Sequence, residues 1–388
     1  MGAWMAMTAA ACAATVAGCG TGRTDGVGAI TTIASAPRSA ACTAAAQAEL
    51  VAIARRVYDQ AATGRNTVSA QRRLGRSRAL AVAVAAHDAA ATRAALAPLI
   101  KHQITRVEVA AGGRVLARYG TTAAYGPARG TIRLDGRPVG TYVLAVSRDR
   151  DYAGLVGELT GATAAFRPAA AAGARATFPA TTFPAGRAVV ALTLPPIPAS
   201  VCGPTPGDTR AATIGLAARR LLTAEQDGPS AHRAIAHAEQ DPAFRAAVAA
   251  ADPAAVRAAI VGFFRDERYH VVRVRVWNDA GVVNDVGGPY VVSPARGAIR
   301  DAGGAVVGRF MLAVQDDTGY IKLLHRFTGA DVTLGLGGHV VPGSNVVPGP
   351  PFASGLRALD YHGRPWRAVG LTGTAFPSGA LDVGLLVR

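Results

Sequence analysis

A short alternating run in the second half of the chain carries side chains able to grip a small anion. Arg273, Arg275 and Trp277 alternate with Val272, Val274 and Val276. Successive side chains of a strand point to opposite faces. The valines are therefore expected to face a core, leaving an Arg–Arg–Trp face on the other side. A guanidinium can hold a carboxylate through two parallel bonds, and an aromatic ring can cover a ligand or a cation. Tyr290, Asp316, Asp317 and Tyr320 belong to the same sheet region, and an Asp can hold an amine. These groups imply an amino acid or a small carboxylate as ligand. Arg106, Glu108, Tyr119 and Asp149 are weaker counterparts in the first half. A plainer reading stands beside this one: an open sheet face with a satisfied ion pair and one core Trp, with Asp316 and Asp317 capping the helix that follows.

Patterns that would carry catalysis are missing from the sequence. It contains no HExxH, CxxC, GxSxG or P-loop pattern. His232 and His237 stand five apart on a predicted helix, which does not put them on one face for a metal. Gly335, Gly337 and Gly338 do not open a helix after a strand, so a dinucleotide fingerprint fails. No catalytic residue, metal or cofactor is expected.

Composition narrows the partners. The formal charge is +16, and Lys101 and Lys322 are the only lysines. The arginines are scattered, with neither a basic run nor a basic stripe interleaved with aromatics. Such a distribution describes a solvated surface better than a nucleic-acid interface, and no nucleic-acid partner is expected. Half of the 388 residues are hydrophobic but only 6% are aromatic. The cores should be rich in Ala, Val and Leu, and the length allows two domains.

Residues 3–18 are small and apolar and end in Val16-Ala17-Gly18-Cys19. That ending resembles a bacterial lipobox, whose Cys is lipidated and becomes the mature N-terminus. The run suits a secretory signal and is short for a membrane span. It departs from the usual signal in one respect, because no Lys or Arg precedes Cys19. A leader over 1–19 and a Gly/Ser/Thr-rich flexible tether over 20–41 are expected. No later stretch reaches about 20 uninterrupted apolar residues. With Cys12 in the leader and Cys19 lipidated, Cys42 and Cys202 remain as an even pair in an oxidising compartment. A disulfide between them is expected; two free thiols are the alternative.

The elements that position all these residues occur twice. His87–Leu96 aligns with Ala251–Ile260, sharing an Asp, an Arg and an Ala-Ala-aliphatic step. The run GPARGTIRLDGRPVGTYVLAV (126–146) matches SPARGAIRDAGGAVVGRFMLAV (293–314). DYAGLVGELTGA (151–162) matches GYIKLLHRFTGA (319–330), and TTFPAGRAVVALTL (181–194) matches TAFPSGALDVGLLV (374–387). The order is the same throughout, so the chain reads as a tandem duplication over 42–200 and 201–388. Each unit opens with an amphipathic helix, over 44–61 and 209–225, followed by one or two more. Asp88 and Asp252 are predicted N-caps, with Pro253 at a first helical position. Gly-turned antiparallel strands come next. A short helix closed by Thr-Gly follows, over 149–159 and 318–327, and then a last strand pair. Helices ahead of a meander of strands predict an α+β fold with helices packed on one sheet face.

This order of elements, with segments such as Gly303-Gly304-Ala305-Val306-Val307-Gly308-Arg309-Phe310, resembles the Cache family of PAS-like extracytoplasmic sensor domains. The resemblance covers 44–195 and 205–388. It implies a small metabolite bound on the open sheet face without chemistry, which is the Arg–Arg–Trp side. Members usually continue into a membrane helix and an output domain, which this sequence does not include. Each unit also has its own long helix, so tandem single modules fit better than one double module. The expected protein is an exported, lipid-anchored sensing or binding module that signals through a membrane partner. A structural or protein-interaction role in the cell envelope is the main competitor. A hydrolase would need a converging nucleophile and base, which the sequence does not offer.

Overall fold

A computed structural model of the chain describes residues 27–100, 104–168, 176–266, 268–344, 354–361 and 363–388. The expected leader and the expected lipidation site, Cys19, lie outside the described residues. So does the start of the expected tether. Its later part is not a plain tether. Val27–Thr32 forms strand β1 and pairs antiparallel with a strand near the C-terminus. The run Ile30-Thr31-Thr32-Ile33 is β-branched throughout, and pairing satisfies backbone groups that an open sheet edge would leave exposed.

The first half then opens with helix α1, Ala40–Thr63. It starts earlier than the 44–61 predicted because the Ser39 hydroxyl accepts from the Cys42 N–H at 3.1 Å and caps it. Its buried stripe, Ala46, Leu50, Ile53, Ala54, Val57 and Ala61, follows helical spacing. Two further helices follow, α2 (Arg65–Arg76) and α3 (Arg78–Ala85), and then the helix expected after Asp88, α4 (Ala89–Leu96). Ser77 caps α3, and Asp88 caps α4 by accepting from Ala90 and Ala91 at 2.8 and 2.9 Å.

The strands of this half are β2 (Arg106–Ala111), β3 (Arg114–Tyr119), β4 (Ala124–Tyr125), β5 (Ala128–Leu134), β6 (Arg137–Ala145) and β7 (Ser147–Arg148). Helix α5 (Asp149–Thr160) comes next, then β8 (Thr163–Arg167), β9 (Ala176–Phe183) and β10 (Gly186–Thr193). They form two antiparallel sheets, ordered β3-β2-β6-β5 and β7-β4-β9-β10-β8. Helices α2–α4 cover one face of the first sheet around Leu74, Leu80, Val84, Leu96, Val109 and Leu144.

In the second half the helices are α6 (Pro206–Asp227), α7 (Pro229–Gln240), α8 (Pro242–Ala249) and α9 (Pro253–Arg265). Asp252 caps α9 from Ala254 and Ala255, with Pro253 at the first helical position as predicted. Strands β11 (Arg273–Asn278), β12 (Gly281–Gly287), β13 (Ala295–Arg300) and β14 (Val306–Ala313) are ordered β12-β11-β14-β13. Helix α10 (Asp317–Thr328) precedes β15 (Asp331–Leu336), β16 (His339–Val340), β17 (Gly355–Tyr361), β18 (Arg364–Thr374) and β19 (Ala380–Val387). With β1 these five make a six-stranded sheet, β1-β17-β18-β19-β15-β16. The "last strand pair" expected in each half is thus a larger sheet. Its extra strands β8 and β15 follow directly on the glycine that ends a helix, a place with no strong strand signal of its own.

The two halves share their largest core. Ile53 and Val57 of α1, Val156 of α5, Ile214 and Leu221 of α6 and Leu324 of α10 belong to one buried cluster, together with Val332 and Leu385 of the six-stranded sheet. Polar contacts cross the seam in both directions. Arg56 of α1 donates to the Phe327 carbonyl at the end of α10 at 3.1 Å, and Arg220 of α6 donates to the Thr160 carbonyl at the end of α5. Each guanidinium meets the negative end of a helix dipole. Glu49, buried in α1, pairs with Arg56 at 3.1 Å and with Arg210 at 2.9 Å. The expected Cys42–Cys202 disulfide is present, with a Cα–Cα distance of 5.5 Å. No helix among the described residues is long and apolar enough to cross a membrane.

Candidate functional site

The Arg–Arg–Trp strand is β11, and over Arg273–Trp277 its alternation is as the sequence predicts; Val272, expected on the core face, lies ahead of the strand and packs instead with Met311, Ala313 and Phe376. Val274 and Val276 are fully buried against α8 and α9, in a cluster with Val248 and Ile260. Arg273, Arg275 and Trp277 stand on the opposite face, half-buried. The hairpin partner β12 brings Asp285 across from Arg275. The Asp285 carboxylate accepts two bonds from Arg273, at 3.0 and 2.9 Å, and lies 3.9 Å from Arg275. The remaining Arg273 nitrogen, Nη1, donates to the Tyr290 carbonyl at 2.9 Å. The guanidinium carbon sits 4.4 Å from the centre of the Phe376 ring. Trp277 packs beside Met311, Ala313 and Phe376.

Arg273 therefore has both forks of its guanidinium engaged, and a ligand carboxylate there would have to displace Asp285. Phe376 follows β18 of the six-stranded sheet, so Arg273 joins that sheet to the four-stranded one. Arg106 does likewise in the first half. It donates to the Thr121 and Thr122 carbonyls at 3.1 and 3.4 Å, with its guanidinium carbon 4.8 Å over Phe183. Glu108 pairs with Arg118 across the β2–β3 hairpin at 2.7 Å.

The other predicted residues separate. Asp316 caps α10 by accepting from the Gly319 N–H. Asp317 is buried, and its Oδ1 accepts from the Val291 and Val292 N–H groups at 2.8 and 3.1 Å. Burial raises the Asp317 carboxyl above its ordinary range, with those two bonds pulling the other way. Tyr320 points into the central core, where its hydroxyl donates to the Ala218 carbonyl at 3.1 Å and burial pushes its pKa well above 10. The structure thus gathers Arg273, Arg275, Trp277 and Tyr290 on the open sheet side. Asp316 and Asp317 lie at the start of α10, and Tyr320 is elsewhere. Sequence reasoning missed Asp285 and Phe376. A strand-mate acid across a hairpin was a readable signal for the first; nothing local marked the second.

A concave region lies along α6. Ile33 donates to the Leu356 carbonyl at 2.9 Å and Ala36 to the Cys202 carbonyl at 2.6 Å, so residues 33–36 strap across from β17 to the disulfide. Beneath the strap is a cleft of about 280 Å³, lined by Ile33, Ala212, Gly215, Leu216, Leu356 and Leu371 among others. Gly215 lets α6 approach β18 closely: a Cβ there would lie 2.6 Å from Val369 Cγ1. The lining is mostly small and apolar, with Ser35, Ser200 and Ser354 among it, and it includes Arg219, whose side chain has no ion pair or hydrogen bond among the described residues. Arg219 also lines a second hollow of about 370 Å³, with Glu158, Arg220, Thr223 and Asp227. Burial raises the Glu158 carboxyl, while nearby Arg233 lowers it. Glu225 on the same helix is pushed from 4.5 to about 7, by burial first and then by the charge of Glu158. Burial lowers the Arg220 pKa from its usual value. Among the described residues no group of three or more His, Cys, Asp or Glu side chains is placed to hold a metal ion.

No family model, curated protein or solved structure matches the chain. The geometry offers an engaged arginine on the β11 face and, bordering a mostly apolar cleft, Arg219, which has no partner among the described residues.

Proposed function

We propose that this chain is an exported binding or sensing module, built from two Cache-like copies of one α+β unit and held at the membrane by a lipid on Cys19. On this reading it performs no chemistry. It binds a small carboxylate or an amino acid and passes the bound state to a membrane partner. The single observation that carries the reading is the cleft along α6, mostly apolar beneath the 33–36 strap and bordered by Arg219, whose guanidinium has no partner among the described residues. An apolar hollow with one convergent charge is the ordinary composition of a small-molecule site. The ligand class is the one expected from sequence, but the arginine that fits it best is Arg219 rather than Arg273.

Several observations support the two-copy reading. The four-stranded sheets have the orders β3-β2-β6-β5 and β12-β11-β14-β13, which correspond strand for strand. Tyr152 donates to Ala54 of α1 at 3.1 Å, as Tyr320 does to Ala218 of α6. Asp88 and Asp252 cap the same helix start with the same pair of bonds. The Cys42–Cys202 bridge supports export, because such bonds persist in oxidising compartments.

A thermal-shift screen of the mature chain, beginning at Cys19, tests the reading. Small carboxylates such as hexanoate, or amino acids, should raise the melting temperature. Arg219→Ala should abolish the shift, and Trp277→Ala should leave it. Absence of any shift across carboxylates and amino acids would reject the proposal. A second reading, a protein-interaction role in the cell envelope, is favoured by exposed Val115 and Tyr119 on edge strand β3 and Val282 on edge strand β12. A null screen with partner cross-links at those edges would select it.

A further inference from the structure

Cleft and hollow meet at Arg219, which lines both. Ala212, Leu216, Arg219, Thr223 and Asp227 recur at intervals of three and four, with Gly215 beside Leu216, so they form one line along α6. At 1.5 Å per residue the line is about 22 Å long. Its first part is mostly apolar, lined by Ile33, Leu216 and Leu356 with Ser35, Ser200 and Ser354 among them. Its second part is lined by the charged side chains of Glu158, Arg219, Arg220 and Asp227. Arg219 belongs to both parts and marks the joint.

The charged groups are not equally available. Arg220 is committed to the Thr160 carbonyl, and Asp227 to His232 at 2.8 Å. Arg219 and Glu158 have no ion pair or hydrogen bond among the described residues. The groove thus presents Arg219, without a partner among the described residues, at the boundary, and the half-buried Glu158 carboxyl, under the charge of Arg233, beyond it. An apolar chain fits the first part. An anionic group next to that chain fits Arg219, and a cationic group further out fits Glu158. From this we infer that the α6 groove binds a single-chain zwitterionic amphiphile, tail under the 33–36 strap and head across Arg219 and Glu158. The inference rests on the binding reading above and adds the ligand's shape and charge order. A short carboxylate would use Arg219 alone and leave the apolar part unfilled.

The probes are hexyl-, octyl- and decylphosphocholine, titrated calorimetrically below their micelle concentrations into the mature chain. Saturable binding of one molecule per chain is expected. Affinity should rise about fourfold for each added methylene that is buried, until the cleft is full. Arg219→Ala should weaken decylphosphocholine at least tenfold, and Glu158→Gln should weaken it less. Ala212→Phe should flatten the chain-length series. Decyltrimethylammonium, which lacks the anion, should bind at least tenfold more weakly than decylphosphocholine. Unaltered melting temperatures of the free variants control for folding. If hexanoate or glycine binds through Arg219 but chain length has no effect, the amphiphile inference fails and the binding reading survives. If no probe binds, both fail. Non-saturating uptake, indifferent to Arg219, would be mere partitioning and would also overturn the inference.

Discussion

At the scale of single residues, Arg273 carries the greatest difference between what its type offers and what it does. Its guanidinium is held by the Asp285 carboxylate, the Tyr290 carbonyl and the Phe376 ring. Arg273→Ala should therefore cost about 2 kcal/mol of stability, because it strands a half-buried carboxylate, and it should leave any ligand affinity unchanged. Urea unfolding read beside a ligand titration checks both halves. Glu225 makes a second prediction at this scale. Its folded pKa, about 7, lies above the 4.5 of an ordinary glutamate. Between those values the folded chain holds a proton that the unfolded chain has released. Stability supplied by Glu225 is thus complete below about pH 4.5 and is lost as pH rises through 7. Glu225→Gln should reduce the fall in urea midpoint between pH 5 and pH 8. An unchanged fall would remove Glu225 as its source.

Among the elements, close approach between helix and sheet sets the geometry in both halves. A Cβ at Gly140 would lie 2.5 Å from Val84 Cγ1, and one at Gly308 would lie 2.5 Å from Val248 Cγ1. Gly140→Ala and Gly308→Ala should each cost about 1–3 kcal/mol by overpacking, measurable by thermal unfolding. Equal tolerance of both would argue against this packing. The helices were readable because their signals are local: apolar periodicity in α1 and α6, Asp88 and Asp252 at starts, Thr-Gly at ends. The valine alternation of β11 was readable for the same reason. Strand β1 and the packing of Phe376 on Arg273 were not. Both depend on pairing between residues far apart in sequence, Val27 with Tyr361 and Arg273 with Phe376. The cleft was hidden for a further reason. Its floor is an amphipathic helix whose exposed stripe looks ordinary until a strap and two strands are placed over it.

As a whole molecule, the chain is two halves around one core, tied by a disulfide that spans 160 residues. The chain-entropy model gives so long a loop about 5 kcal/mol, while typical measured values are about 2–4. Replacing both Cys42 and Cys202 with Ser should lower unfolding stability within that measured range. Thiol titration of the native chain should find neither Cys42 nor Cys202 reactive; titration of both would contradict the bridge. The bridge also bears on the proposed site, because Cys202 and the 33–36 strap border the same cleft. Ligand binding should accordingly tighten the strap and α6 together while leaving the β11 face unaltered.

Hydrogen exchange reads that difference directly. The chain would be compared alone, in hexanoate and in decylphosphocholine. Slowed exchange over Ile33–Ala36 and Ala212–Arg219 is expected with at least one of these probes, with β11 and β12 unaffected. Protection confined to Arg273–Asp285, or none in the strap and α6, would contradict it.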